Sequence, residues 1–136
     1  ARPMYPFGYG LSYTQFECSP ISCEKTEITM DELKAGECFS LAVTLDNTGA
    51  YDGKETVQLY IRDKVASSMR PMRELKAFQK VFLAAGDCCE IRFDVGYDQL
   101  GFYMDNGEYV VEPGAFEIYI GDNCLTDNQI SIQIKP

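Results

Sequence analysis

The sequence predicts an all-β domain, an antiparallel sandwich of about seven strands. Three observations carry that expectation. Apolar and polar residues alternate with a period of two along most of the chain, the signature of strands with one buried face. Clusters of Gly, Asn, Asp and Pro separate the alternating runs at short intervals. The helical period is nearly missing: only Tyr97 to Leu100 reads as a single turn of helix.

Taken in order, two weak strand candidates come first, Thr14 to Cys18 and Ile21 to Ile28. Glu37 to Asp46 (ECFSLAVTLD) is stronger, with Phe39, Leu41, Val43 and Leu45 on one face and Cys38, Ser40, Ala42 and Thr44 on the other. Thr56 to Arg62 turns Val57, Leu59 and Ile61 inward. Ala77 to Leu83 is a weaker strand. Cys89 to Val95 puts Ile91, Phe93 and Val95 on one side, and Ala115 to Ile120 does the same with Phe116, Ile118 and Ile120. Ile130 to Ile134 closes the series with three Ile on one face. The turn signals between these runs are Asn47-Thr48-Gly49, Ala85-Gly86-Asp87, Asp105-Asn106-Gly107, Pro113-Gly114 and Gly121-Asp122-Asn123. Asn106-Gly107 between Tyr103 and Tyr109 is a strong hairpin signal.

One connection is long. Asp63 to Glu74 has no strand pattern and contains Pro71. Six of the twelve basic residues lie between Arg62 and Lys80, against only Asp63 and Glu74. A long loop in a compact sandwich is usually functional or docked on something, and a basic one on an acidic domain suits an acidic partner surface.

Composition excludes several function classes. The 136 residues suffice for one domain with its own core. The net charge of −9 repels phosphate backbones and anionic lipid, so neither nucleic acid nor a membrane is an expected partner. No apolar run approaches the ~20 residues of a membrane-spanning helix. With no His, the chain cannot build a Ser-His-Asp triad, a Cys-His pair or a His-ligated zinc site. The chain opens ARPMYPFGYG, which lacks the basic and apolar regions of a signal peptide and reads like a cut inside a longer protein.

The six cysteines, at 18, 23, 38, 88, 89 and 124, are irregularly spaced. Cys88 and Cys89 are adjacent, so on a strand they point to opposite faces. Free thiols in a reducing, cytoplasmic compartment are favoured over a disulfide framework in a secreted or periplasmic one. The 21 Asp and Glu fall mostly on turns and polar strand faces, not in a pocket-forming motif that could supply a glycosidase carboxylate pair. Asp46, Asn47 and Asp52, or Asp122, Asn123 and Asp127, could approach a calcium ion, but Asn and Asp belong in turns anyway. No cofactor or metal is expected.

Met4 to Tyr13 (MYPFGYGLSY) packs four aromatics into ten residues, interrupted by two Gly and a Pro. It is too kinked for a strand and too apolar for a free tail, so it either folds back on its own sandwich or covers a neighbour.

Here the sequence resembles a known family. YPFGYGLSYTQF (Tyr5 to Phe16), DNTGAYDGKETVQLYIRD (Asp46 to Asp63), RPMRELKAFQKVFLAAGD (Arg70 to Asp87) and FYMDNGEYVVEPGAFEIYIG (Phe102 to Gly121) are similar, in order and spacing, to the C-terminal domain of glycoside hydrolase family 3 enzymes. Those enzymes are mostly β-glucosidases and β-xylosidases. Ala77 stands where the family usually has Gly, and the cysteines are not a family hallmark. The resemblance implies an immunoglobulin/fibronectin type III-like sandwich, the last domain of a multidomain exo-acting β-glycosidase, most simply a β-glucosidase. The family carries its catalytic Asp and Glu on two preceding domains, and neither motif is present, so no catalytic residue transfers. What transfers is docking on the catalytic domains of the same chain. Residues 1–13 would be the linking and docking segment and 14–136 the sandwich. Tyr5, Phe7, Tyr9, Leu11 and Tyr13 would pack on the preceding domain, with Arg70, Pro71 and Arg73 approaching the catalytic domains. The isolated domain would be monomeric. Two other readings stay open: a carbohydrate-binding module using Tyr51, Tyr97 and Tyr103, and an Ig-like interaction domain.

Overall fold

A computed structural model describes residues 14–64, 73–123 and 125–136, together with the backbone of 5–7. Two five-stranded sheets face each other across an apolar core. In the first, β5 (Phe39–Asn47) is central. It pairs antiparallel with β8 (Cys88–Val95) on one side. On the other side it meets β2 (Phe16–Cys18) and then β3 (Ser22–Cys23). β1 (Tyr5–Phe7) adds to the outer edge of β2. The second sheet has the order β4 (Glu27–Thr29), β12 (Gln129–Lys135), β11 (Gly114–Gly121), β6 (Gly53–Asp63), β7 (Glu74–Leu83). A hairpin of β9 (Phe102–Tyr103) and β10 (Tyr109–Val110) lies apart.

The expected sandwich is therefore present, and its inward faces are those the alternation predicts. Phe39, Leu41, Val43, Leu45, Val57, Leu59, Ile61, Ile91, Phe93, Val95, Phe116, Ile118 and Ile120 are all buried, as are Ile132 and Ile134. Ile130, near the start of β12, is only half-buried. Each sheet presents one apolar face, and stacking the two faces removes both from water.

Three local features depart from the sequence reading. The second weak candidate, Ile21 to Ile28, does not run as one strand. Its start pairs with β5 as β3, beside β2, and its end crosses to the other sheet, where β4 lies parallel to β12. Pro20, which has no N–H to donate, sits in the expected break between β2 and β3. Ser19 secures the chain there: its N–H donates to the Thr44 carbonyl (2.9 Å) and its hydroxyl accepts from the Thr44 N–H (2.8 Å).

The second departure is a helix the period does not reveal, α1 (Met30–Lys34). Thr29 caps it. The Thr29 hydroxyl accepts from the Glu32 N–H (3.1 Å), and Glu32 Oε1 accepts from the Thr29 N–H (3.0 Å). This reciprocal pair is the capping box that Thr-x-x-Glu spells, so a signal was there to be read. Its single buried apolar residue, Leu33, docks the helix on the core. The third departure is β1. The aromatic opening segment reads as too kinked for a strand, yet Tyr5–Phe7 forms a three-residue antiparallel ladder with Phe16–Cys18.

Other expectations stand. Tyr97–Leu100 forms one helical turn, α2. The hairpin pairs Tyr103 with Tyr109, connected by Met104–Glu108 with Gly107 at φ +90°. The long basic connection, expected from Asp63 to Glu74, is shorter at both ends, since Asp63 closes β6 and Glu74 opens β7; Lys64 and Arg73 lie outside the strands, and 65–72 lies outside the described residues.

The core register makes a direct prediction. Leu59 is fully buried and Phe116 almost so. Leu59→Ala or Phe116→Ala should cost about 2–5 kcal/mol in chemical denaturation, from lost transfer energy plus a cavity. Glu90→Ala, on the opposite face of β8, should stay within about 0.5 kcal/mol. Equal small costs for all three would refute the register.

Candidate functional site

Of the residues expected to dock, Arg73 is the one whose side chain is described. It precedes the edge strand β7, and its guanidinium does not simply project outward. Its carbon Cζ lies 3.7 Å from the centre of the Tyr119 ring, and Nη1 donates to the Thr126 carbonyl at 2.7 Å. Tyr119 in turn donates its hydroxyl to Glu117 Oε1 (2.7 Å), which also pairs with Arg62 across β6 and β11 (3.4 Å). Burial pushes the Tyr119 phenol up, reinforced by its bond to Glu117. A cation over the face of a buried Tyr is an effective anchor. Arg73 thus ties the end of the basic connection to the sheet and leaves less of its fork for a neighbour. Tyr5 and Phe7 are placed by backbone pairing alone. Tyr9, Leu11, Tyr13, Arg70 and Pro71 lie outside the described residues.

The structure draws attention to residues the sequence marks only as turn formers. Asn47 ends β5 and is 1% exposed. Its side-chain oxygen accepts from the Thr14 hydroxyl (2.9 Å) and the Gly49 N–H (3.1 Å). Its amide donates to the carbonyls of Tyr51 (2.8 Å) and Leu83 (3.0 Å). Its backbone N–H donates to Asp87 O (2.8 Å), and its carbonyl accepts from the Gly86 N–H (3.0 Å). One residue therefore joins the entry of the chain, the β5–β6 turn and the end of β7 through its side chain, and the β7–β8 turn through its backbone. Thr14 packs over the two glycines of this motif. A Cβ on Gly49 would overlap the Thr14 hydroxyl, and one on Gly53 would come within 2.7 Å of Thr14 Cγ2. The N-T-G-x-x-x-G spacing is explained by this close approach. The Thr48 N–H donates to Gln15 O (2.8 Å), so the point where the first 13 residues join the sandwich is fixed from two sides.

The aromatic residues weighed as a sugar platform do not assemble into one. Tyr51 is 66% exposed beside the Gly53 end of β6. Tyr103 stacks edge-to-face on Tyr109 (5.1 Å), as does the half-buried Tyr97 (5.7 Å). The Tyr109 hydroxyl accepts from the Gly101 N–H and donates to Tyr97 O, both at 2.9 Å, which fastens the hairpin to α2. Gly101 and Phe102 line the same groove as Ile61 and Glu74, at the other end of β6. Gly53 and Ile61 are eight residue steps apart on one strand, at ~3.3 Å each, so Tyr51 and Tyr103 sit at opposite poles. The polar trough on the outer face of the first sheet is lined by Ser19, Ser22, Ser40, Thr44, Glu90 and Arg92 among others, and contains no aromatic ring.

The acidic turn residues have structural employment. Asp52 Oδ1 accepts from the Ala85 N–H (2.9 Å), Asp122 Oδ1 from Asn123 Nδ2 (3.1 Å), and Asn123 Oδ1 from the Leu125 N–H (2.7 Å). Burial raises the Glu55 carboxyl, with a smaller contribution from Asp122. That pair sits where β6 begins and β11 ends.

The five described cysteines are free. Cys18 and Cys89 both face the core, but β5 separates them, with Leu45 between. Two strand spacings, about 10 Å, exceed the reach of a disulfide. Burial pushes the Cys18 thiol up to about 12, against a weak hydrogen bond from Asn128. Cys88 is exposed, with its pKa raised chiefly by its hydrogen bond to Asp46.

Two outcomes follow. Asn47→Ala would remove the donors to the Tyr51 and Leu83 carbonyls and the acceptor of the Gly49 N–H, so it should cost about 3 kcal/mol or more, at about 1–3 kcal/mol per buried unpaired group. The exposed neighbour change Thr48→Ala should cost less than about 0.5 kcal/mol, and a comparable loss for both would remove Asn47 from its bridging role. In native alkylation at pH 8, Cys88 should label well before Cys18, which should react only on unfolding. Matching rates would contradict the burial of Cys18.

Comparison with known proteins agrees with this architecture. A family model described as a fibronectin type III-like domain matches residues 55–124. A β-glucosidase of Bacteroides ovatus is 40% identical over 120 residues, 88% of this chain and 15% of its own length. A β-xylosidase of Formosa agariphila is 35% identical over 135 residues, 98% of this chain and 18% of its own. Among solved structures, the β-glucosidase of Listeria innocua superposes with a TM-score of 0.82 at 35% identity, covering 98% of this chain and 18% of that one. A β-glucosidase from Erythrobacter marinus gives 0.83 at 36% identity, covering 96% and 17%. The chain thus spans about a sixth of the length of these relatives. The family match, the two-sheet topology and the near-complete superposition agree: this chain belongs to the fibronectin type III-like domain family.

Proposed function

We propose that this domain is the non-catalytic accessory part of a multidomain β-glycosidase of glycoside hydrolase family 3, one that removes terminal β-D-glucosyl residues. The observation that carries the reading is coverage. Nearly the whole chain matches about one sixth of β-glucosidases and β-xylosidases, in sequence and in fold. The rest of each relative lies outside the match, and this chain carries neither of the family's catalytic motifs. The domain's work is then mechanical. Thr14 and Asn47 fix the exit of the first 13 residues, so a body attached there would be held at a set orientation. Docking through Tyr5, Phe7, Tyr9, Leu11 and Tyr13, with Arg70, Pro71 and Arg73, remains the expected contact with the catalytic domains. Arg73 would take part through the backbone it anchors. The irregular spacing of the cysteines, with Cys88 next to Cys89, favours a reducing compartment for the protein.

A carbohydrate-binding role is less well supported, because Tyr51 is remote from the Tyr97, Tyr103 and Tyr109 cluster.

The isolated chain should show no turnover of aryl β-glucosides or β-xylosides at high protein concentration, and no heat of binding with cellobiose. Activity that copurifies with this chain, or saturable sugar binding, would overturn the accessory reading.

A further inference from the structure

β7 is the terminal strand of its sheet and breaks the usual pattern of apolar residues inside. Leu75, Phe78 and Phe82 are 53, 54 and 61% exposed. Their cross-strand partners on β6 are Tyr60, Gln58 and Lys54, all on the face turned away from the core that holds Val57 and Leu59. Strict alternation from Phe82 and Phe78 would turn Leu75 inward. A register shift opposite Leu59 and Tyr60 inserts Lys76 as an extra residue, and this turns Leu75 to the outer face as well. Re-aiming a side chain is what bulges do, at a local cost to the ladder. Three large apolar groups lined up on a ten-residue edge strand are what soluble domains avoid unless the face is covered.

The charge beside them limits what can cover it. Lys80 lies between Phe78 and Phe82, and Lys54 faces Phe82. A second copy packed symmetrically on this face would set these lysines against each other, and like charges brought together disfavour that contact. An apolar patch rimmed by carboxylates fits instead. The face is also continuous in sequence with the basic connection, which enters β7 through Arg73 and Glu74. The relatives leave more than four fifths of their length outside the matched domain.

We infer that the outer face of β7, centred on Leu75, Phe78 and Phe82, docks against an apolar patch with an acidic rim on the remainder of the parent polypeptide. This rests on the accessory-domain reading and names a face that reading does not include. The three side chains act as anchors, and Lys54 and Lys80 set the register by charge.

The test uses the full-length polypeptide carrying this domain, with the photo-crosslinker p-benzoylphenylalanine placed at position 78, 82 or, as a control, 90 on the outer face of the other sheet. Positions 78 and 82 should capture peptides from the preceding part of the same chain at least about tenfold more than position 90. Capture from position 90 alone would leave the accessory reading standing and overturn this face. Capture of a second copy from 78 and 82 would overturn the chosen occupant. No capture from any position would count against both. A second measurement uses Phe78→Asp, which should leave the melting temperature of the isolated domain within about 2 °C and lower that of the full-length protein by about 5 °C or more. A large drop in the isolated domain would mean that Phe78 serves its own fold, which overturns the inference.

Discussion

The buried side chain of Asn47 is the constraint on which the arrangement of this domain depends. An asparagine offers two amide donors and an oxygen with two lone pairs, besides its backbone pair. Here all of that capacity is used, on six partners drawn from four separate parts of the chain. Buried polar groups are favourable only when fully satisfied, and then they specify one arrangement rather than many. Moving any of the four segments would unpair a polar group of the buried Asn47. The hub therefore couples the entry of the chain to the pole of the sandwich where β5, β6, β7 and β8 meet.

A second buried asparagine plays the corresponding part between the sheets. Asn128 donates to the Ser19 carbonyl at 3.1 Å, while its own carbonyl accepts from the Ile120 N–H at 3.1 Å. Ser19 follows β2 in the first sheet, and Ile120 lies on β11 in the second. Apolar burial between the sheets supplies most of the stability, but it is nondirectional. The two asparagines supply direction, fixing which turn meets which strand. Surface ion pairs such as Lys25–Glu32 and Lys135–Glu27 are half exposed and add little.

Much of this was legible in the sequence, for a physical reason. β5, β6 and β8 have one buried and one wetter face, so selection for burial writes a period of two into them; in β11 the period shows in Phe116, Ile118 and Ile120, although Tyr119 on the other face is also buried. β7 was harder to read because it carries apolar residues on its outer face and Gln79 on its inner one, where the Gln79 amide donates to the Arg92 carbonyl. α1 is five residues long, too short for a period to show, and depends on its cap and on Leu33. Asn47 could be read as a turn residue but not as a hub. Its partners Thr14 and Leu83 lie 33 and 36 residues away, and only the folded sheets bring them together. Arg73 shows the same limit: Tyr119 and Thr126 come within its reach only because β6 sits between β7 and β11.

A self-sufficient sandwich that holds the point of chain entry rigidly suits a domain that positions rather than catalyses. Native-state hydrogen exchange tests it at single residues. The amides of Asn47, Thr48, Gly49 and Gly86 lie in or beside turns but are bonded into the hub or to the entry strand. They should exchange only through global unfolding, as slowly as the core amides of β5 and β11. If they instead exchange as fast as the exposed Gly107 turn, the entry point opens locally and the account is wrong.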